Sequence, residues 1–308
     1  MDKIMIFGHK NPDTDSICSA LAYSELKTQL GENVQPVRLG ELNKETEYVL
    51  DYLDIEVPEL IKEVPADVKG VILVDHNEFQ QSVNNIRDVK ILEVIDHHRI
   101  SNFETNDPLY FRAEPVGCTA TILYKMYQEN NKEISKTIAT LMLSAIISDS
   151  LLFKSPTCTP VDEATAKELA KIAEVNLEEY GLSMLEAGTA LDDKTTKELL
   201  TMDAKEFSFG ESNVIIAQVN AIDTANVFKR REELEVEIDK IIEKENLDLF
   251  LLVVTDIINS NSDVLAIGKA ATNVEEAFKV KLAESRALLE GVVSRKKQIV
   301  TNLGDTFK

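Results

Sequence analysis

Four histidines occur in this 308-residue chain, and all fall in its first third beside aspartates: His9 with Asp13 and Asp15, His76 with Asp75, and His97-His98 with Asp96. Imidazole nitrogens and carboxylate oxygens without thiolates make a donor set for a divalent cation. That set suits Mn²⁺ or Co²⁺ better than an all-oxygen Mg²⁺ site, while Zn²⁺ could bind but is less suited to turnover. Each cluster alone has an ordinary explanation. Asn11-Pro12 makes a turn, Asp13 or Ser16 caps a helix, Asp75 sits at a strand end, and a His-His pair is satisfied by backbone or carboxylates. Together they concentrate negative charge that is costly unless cations neutralise it. The carboxylates exceed what one ion needs, so the economical arrangement is two ions sharing Asp75 with one water between them. The chemistry this predicts is hydrolysis by activated water.

Such clusters need elements that bring them together. Apolar, β-rich runs recur at 3–7, 34–39, 71–74 and 91–95, separated by helix-like stretches such as 16–29, which predicts a parallel α/β sheet. The histidine clusters begin where these strands end, and open α/β sheets bind ligands outside the carboxyl ends of their strands. A further apolar helix over 135–150 delivers Asp149 at its end. The pattern stays helical from about 157 to 185 and breaks at Gly188, which places a linker at 188–192 between a domain of residues 1–187 and one of 193–308. In the latter, strands are expected at 213–219, 249–254 and 264–267, with an exposed helix over 230–245. The expected class is therefore α/β with two domains. The first holds a mainly parallel sheet flanked by helices, the second is smaller, and the active site lies in the cleft between them.

Acidic residues outnumber basic ones 54 to 33, a formal charge of −21, so the chain as a whole should repel nucleic acid and anionic membranes. No secretory or membrane-spanning segment is recognised, which makes the cytoplasm the expected location. Cys18, Cys118 and Cys158 are isolated and odd in number, and read as small buried hydrophobes. An anionic substrate would need local cations, and the sharpest basic cluster is Ser294-Arg295-Lys296-Lys297. As a surface charge run it is ordinary; facing a metal cleft it would complete a clamp on phosphate. Lys229-Arg230-Arg231 is followed by glutamates and reads as a self-neutralising helical face. No Walker loop, dinucleotide glycine fingerprint or serine nucleophile elbow is present.

Several motifs, Gly8-His9 through Asp13-x-Asp15-Ser16, Val74-Asp75-His76-Asn77-Glu78, Asp96-His97-His98, Glu114 to Thr121 and Ser294 to Gln298, together resemble the family II inorganic pyrophosphatases of the DHH phosphoesterase superfamily. The resemblance spans the chain, and the Ser-Arg-Lys-Lys-Gln motif separates the pyrophosphatases from other superfamily members. It implies that His9, Asp13 and Asp75 hold one Mn²⁺, and that Asp15, Asp75, His97 and Asp149 hold a second. Co²⁺ or Mg²⁺ would be substitutes, and further Mg²⁺ or Mn²⁺ would arrive with the substrate. It also implies that His98, Lys205, Arg295 and Lys296 contact the phosphates, that His76 orients or supports, and that the protein is a homodimer formed through its first domain. The implied reaction is hydrolysis of pyrophosphate to two orthophosphates by a water or hydroxide bridging the two ions. Catalysis would then rest on Asp75, His98, Lys205, Arg295 and Lys296. A DHH-type phosphodiesterase would use similar metals, but no histidine follows His98 and no basic, aromatic-interleaved face for bases is found. A non-catalytic metal or phosphate sensor is the alternative from another class.

Overall fold

Val71-Ile72-Leu73-Val74 is apolar at every position, the pattern of a strand covered on both faces. The computed structural model describes residues 3–189, 191, 194–201 and 203–307, without the side chains of Lys296 and Lys297. Ala190 and Asp192 of the expected linker lie outside the described residues. The chain divides into two compact units, Met1–Gly188 and Thr189–Lys308.

The first unit runs β1 (Ile4–Phe7), α1 (Thr14–Gln29), β2 (Val34–Arg38), α2 (Lys44–Tyr52), β3 (Glu59–Leu60), β4 (Gly70–Val74), β5 (Ile91–Asp96), β6 (Tyr110–Ala113), α3 (Thr119–Glu129), α4 (Lys136–Ser150), α5 (Pro160–Ala173) and α6 (Leu177–Gly188). Its strands pair in parallel in the order β3-β2-β1-β4-β5-β6. One sheet face packs Met5, Phe7, Val37, Val71, Leu73 and Val94 against Phe79, Val83 and Ile86. Helix α4 is apolar nearly all round because α1, α3 and α5 all pack against it. Fully burying a Leu or Ile side chain contributes about 1.5–3 kcal/mol, so this central helix is a firm mount for Asp149 near its end.

The second unit runs α7 (Thr196–Thr201), β7 (Ala204–Phe209), β8 (Ser212–Ala221), α8 (Thr224–Phe228), α9 (Arg231–Glu245), β9 (Leu249–Asp256), β10 (Asn261–Ile267), α10 (Thr272–Phe278), β11 (Arg286–Leu289), a π-helical turn at Arg295–Ile299 and α11 (Val300–Gly304). Its sheet order is β11-β10-β9-β8-β7, with β8 and β9 parallel and the other pairs antiparallel. Leu234 and Ile238 of α9 help to cover one face, Val274, Ile299 and Leu303 the other. Among the described residues no helix is long and apolar enough to cross a membrane.

Candidate metal centre

In the order β3-β2-β1-β4-β5-β6 the winding reverses between β1 and β4, and ligands of open α/β sheets bind at such a reversal beyond the carboxyl ends. Gly8-His9 leave β1 there, Asp75 leaves β4, and Asp96-His97 end β5. Gly8 is required by close approach, since a Cβ at this position would lie 2.5 Å from Ser16 Cβ. Ser16 is the third residue of α1, where Asp13 caps the helix by accepting from the Ser16 N–H at 3.0 Å. The Ser16 hydroxyl donates to Asp75 Oδ2 at 2.6 Å. Asp75 itself has φ 59°, a left-handed conformation that aspartate tolerates better than most residues. Just past Asp149, Leu151, Leu152 and Phe153 have φ of 47°, 50° and 68°. Non-glycine residues held there cost about 1–3 kcal/mol each, and such backbone clusters at functional sites.

The two oxygens of Asp75 face different partners. Oδ2 lies 3.4 Å from His9 Nε2, which is also 3.4 Å from Asp13 Oδ2. Oδ1 lies 3.4 Å from His97 Nε2, which has Asp149 Oδ2 at 3.8 Å and Asp15 Oδ2 at 3.9 Å. Donor atoms of His9, Asp13 and Asp75, and those of Asp15, His97 and Asp149, lie within 4.8 Å of one another in each group. Ligands about 2.1 Å from one ion stand about 3–4 Å apart, so both spacings suit a cation. A third such group is Asp75, His97 and His98.

Electrostatics point the same way. Burial, then Asp15 and Asp13, push the Asp75 carboxyl well above the ordinary range. Burial, then Asp15, Asp75 and Asp13, do the same to Asp149, whose Oδ2 is buried without a hydrogen-bond partner. Burial disfavours a charged His9, but its bond to Asp13 and the field of Asp75 outweigh this and raise its pKa. Asp13 is lowered in turn, burial being outweighed by His9. The donor chemistry, the spacing and the orphaned Asp149 oxygen all fit divalent cations.

The other expected residues occupy distinct settings. His98 is about half exposed, and its Nδ1 lies 3.0 Å from Asp96 Oδ1, a bond that raises its pKa against the opposing effect of burial. His76 is buried on Phe7, with Nδ1 2.9 Å from the Val74 carbonyl and Nε2 without a partner; burial lowers its pKa to about 4. It belongs to none of the three donor groups. In the second unit Lys205 is exposed on β7 and pairs with Ile216. Arg295 donates to the Asp203 carbonyl at 2.5 Å, to Asp203 Oδ1 at 2.8 Å and to the Ile216 carbonyl at 3.5 Å. The Lys296 side chain lies outside the described residues.

Sequence reasoning passed over the residues that hold the donors. Thr119 N–H donates to Asp15 Oδ2 at 2.7 Å and its hydroxyl to Asp75 Oδ1 at 3.4 Å. Asn77 Nδ2 donates to Asp96 Oδ2 at 2.6 Å, and Asp96 Oδ1 accepts the His98 N–H at 3.1 Å. Glu45 Oε1 accepts from the hydroxyls of Thr14 and Ser148, tying the start of α1 to the end of α4. Asp96, Asn77 and Thr119 stand in the motifs that carry the resemblance, but without a role of their own; nothing local marks Glu45.

Residues 3–146 match the DHH family N-terminal domain and residues 182–306 the DHHA2 domain. The manganese-dependent inorganic pyrophosphatase of Bacillus subtilis (strain 168) is 63% identical over 307 residues, covering 100% of this chain and 99% of its own. Among solved structures, a Methanococcus jannaschii protein described as a candidate family II inorganic pyrophosphatase is 38% identical with a TM-score of 0.64, covering 99% of each chain. An exopolyphosphatase-related protein of Bacteroides fragilis shares the fold, with 15% identity and a TM-score of 0.52 over 99% of this chain and 92% of that one. With paired donor groups at the sheet's reversal point and end-to-end identity of this order, the chain belongs to the family of manganese-dependent inorganic pyrophosphatases.

Proposed function

We propose that the protein hydrolyses inorganic pyrophosphate to two orthophosphates, using two divalent cations, Mn²⁺ by preference with Co²⁺ or Mg²⁺ as substitutes. His9, Asp13 and Asp75 would hold one, and Asp15, Asp75, His97 and Asp149 the other. The observation that carries this reading is Asp75, which turns one oxygen toward each donor group. When bound, such a pair lowers the pKa of the attacking water and neutralises phosphate oxygens.

The chain's own residues do the rest. The Ser16 and Thr119 hydroxyls hold the Asp75 carboxylate from two sides, so that it need not reorganise during reaction. Asp96 occupies His98 Nδ1, which leaves Nε2 to meet a phosphate oxygen. Lys205, Arg295 and Lys296 are assigned to the phosphates on the resemblance. Asp203 orients the Arg295 guanidinium in support of this, leaving N–H donors over for an anion. Additional Mg²⁺ or Mn²⁺ would enter with the substrate. The reading takes the two compact units for the metal-binding and phosphate-binding domains, joined through residues 188–192. It also takes the protein for a cytoplasmic homodimer formed through its first unit, where outer strand β6 leaves a sheet edge and Tyr110 is 47% exposed.

The test is orthophosphate release by chelator-stripped protein, with and without Mn²⁺, beside a dinucleotide substrate. Rapid Mn²⁺-dependent release from pyrophosphate alone is expected. Cleavage of the dinucleotide with inert pyrophosphate would instead identify a phosphodiesterase, and Mn²⁺ binding without turnover a sensor.

A further inference from the structure

The segment Glu114 to Thr121 supplies no side-chain donor to the three groups, yet it touches three of their members, Asp75 through the Thr119 hydroxyl and two others through its backbone. The Val116 carbonyl lies 3.1 Å from His97 Nδ1, and the Thr119 N–H donates to Asp15 Oδ2 at 2.7 Å. A carbonyl only accepts, so His97 Nδ1 carries the proton. Its Nε2 then presents a lone pair toward Asp75, Asp149 and Asp15.

What fixes this segment is a carboxylate far along the chain. Asp162 of α5 is 0% exposed and meets four donors. Oδ2 accepts from the Thr159 N–H at 2.8 Å and the Thr159 hydroxyl at 2.6 Å, which belong to the α5 capping box. Oδ2 also accepts the Gly117 N–H at 2.8 Å, and Oδ1 accepts the Thr121 hydroxyl at 2.6 Å, 45 and 41 residues away in sequence. Capping explains the first pair of bonds and not the second. Gly117 allows this approach, because a Cβ there would stand 2.8 Å from Asp162 Oδ2 and 3.0 Å from the Thr157 carbonyl.

We infer that Asp162 is a positioning residue of the metal centre. By gripping Gly117 and Thr121 it places the Val116 carbonyl and the Thr119 N–H so that His97 keeps its Nε2 free for a cation and Asp15 keeps its rotamer. This rests on the reading of His97 and Asp15 as ligands. Outer partners of this kind set imidazole tautomer and ring orientation, and their loss typically lowers metal affinity about 10- to 100-fold.

The test uses full-length, chelator-stripped protein with three readouts: Mn²⁺ affinity by competition with a chelator, the tautomers of the four histidines by ¹⁵N NMR, and the thermal midpoint. Asp162→Asn and Gly117→Ala approach the same contact from opposite sides, so the second serves if the first does not fold. Asp248→Asn is the control, since this carboxylate of the second unit also grips a backbone N–H, that of Asn213, at 2.7 Å. The expected result is an Mn²⁺ affinity about 10- to 100-fold weaker in the first two variants, with His97 losing its Nδ1–H tautomer. The control should lose thermal stability alone. Lowered midpoints with unchanged Mn²⁺ affinity and an unchanged His97 tautomer would overturn the inference and leave Asp162 a structural cap. Failure of the unaltered protein to bind Mn²⁺ would overturn the ligand reading itself, and the inference with it.

Discussion

Asp149→Asn should stabilise the metal-free protein while weakening its response to Mn²⁺. The Asp149 and Asp15 donor oxygens lie within 4.8 Å of each other. Two unit charges at that separation repel by about 3.5 kcal/mol at an effective dielectric constant of about 20. The raised pKa of Asp149, caused by burial and then by Asp15, Asp75 and Asp13, shows that protonation relieves part of this cost. Removing the charge should therefore gain about 1–3 kcal/mol. For a unit the size of Met1–Gly188, each kcal/mol moves the midpoint by roughly 2–4 °C, so a rise of roughly 2–12 °C is expected. Mn²⁺ at a hundred times its Kd should stabilise the unaltered protein by about 2.7 kcal/mol, and the variant by much less. The assay is scanning calorimetry of chelator-stripped protein with and without Mn²⁺ between pH 8 and pH 5. A carboxyl whose folded-state pKa is raised contributes stability fully below its unfolded pKa, about 3.9, and loses it as pH rises through the folded value. The unaltered protein should thus gain stability relative to the variant on acidification, and the gap should narrow. A metal-free variant that melts below the unaltered protein at pH 8, or a gap independent of pH, would refute this account of the centre.

Asp75→Asn removes the carboxylate that faces both donor groups, and orthophosphate release at saturating Mn²⁺ should fall by at least roughly a thousand-fold, about 4 kcal/mol. Gly8→Ala places a Cβ 2.5 Å from that of Ser16; displacement of Ser16 should cost about 1–3 kcal/mol in denaturant unfolding and weaken Mn²⁺ binding. Away from the centre, burial works against ionised Glu114, but bonds from Lys125 and Arg112 outweigh it and hold its pKa below the usual range. Its stabilisation is present above the unfolded pKa and lost as pH falls through the folded one. Glu114→Gln should therefore lower stability near pH 7 by about 1 kcal/mol or less, read as a lower melting midpoint, and make progressively less difference as the pH is lowered through the folded-state value.

The sequence shows most plainly those features whose cause is local. The strand expected at 71–74 corresponds to β4, buried at every position, because a run covered on both faces must be apolar throughout; those expected at 34–39 and 91–95 correspond to β2 and β5, where apolar residues still dominate around Gln35 and Glu93. β6 and β7 went unseen because Tyr110-Phe-Arg-Ala and Ala204-Lys-Glu-Phe-Ser-Phe interleave charge with aromatic residues on strands that pair on one side only. The same divide runs through the site. His9, Asp13 and Asp15 are visible because a strand end and a helix cap fall within one short segment. Asp162 and Glu45 are invisible because their partners lie far away in sequence, and a carboxylate in a helix's first turn reads as a cap wherever it occurs. Lys205 stands out only through the resemblance; an exposed lysine on an alternating strand carries no signal of its own.

Asp13, Asp15, Asp75 and Asp149, the carboxylates of the first two donor groups, carry four negative charges when ionised, and two divalent cations cancel four. A centre loaded in this way is close to neutral, so it orients a phosphate and activates water without attracting a multiply charged anion over distance. In a chain of net charge −21 that attraction must come from elsewhere. The reading assigns it to Lys205, Arg295 and Lys296, and to a cation carried by the substrate. Asp203 then has a purpose beyond pairing. With Nη1 on its carbonyl and Nη2 on its carboxylate, Arg295 is only 11% exposed and fixed in orientation before an anion arrives. Part of the side-chain ordering entropy is thereby spent during folding and not at binding.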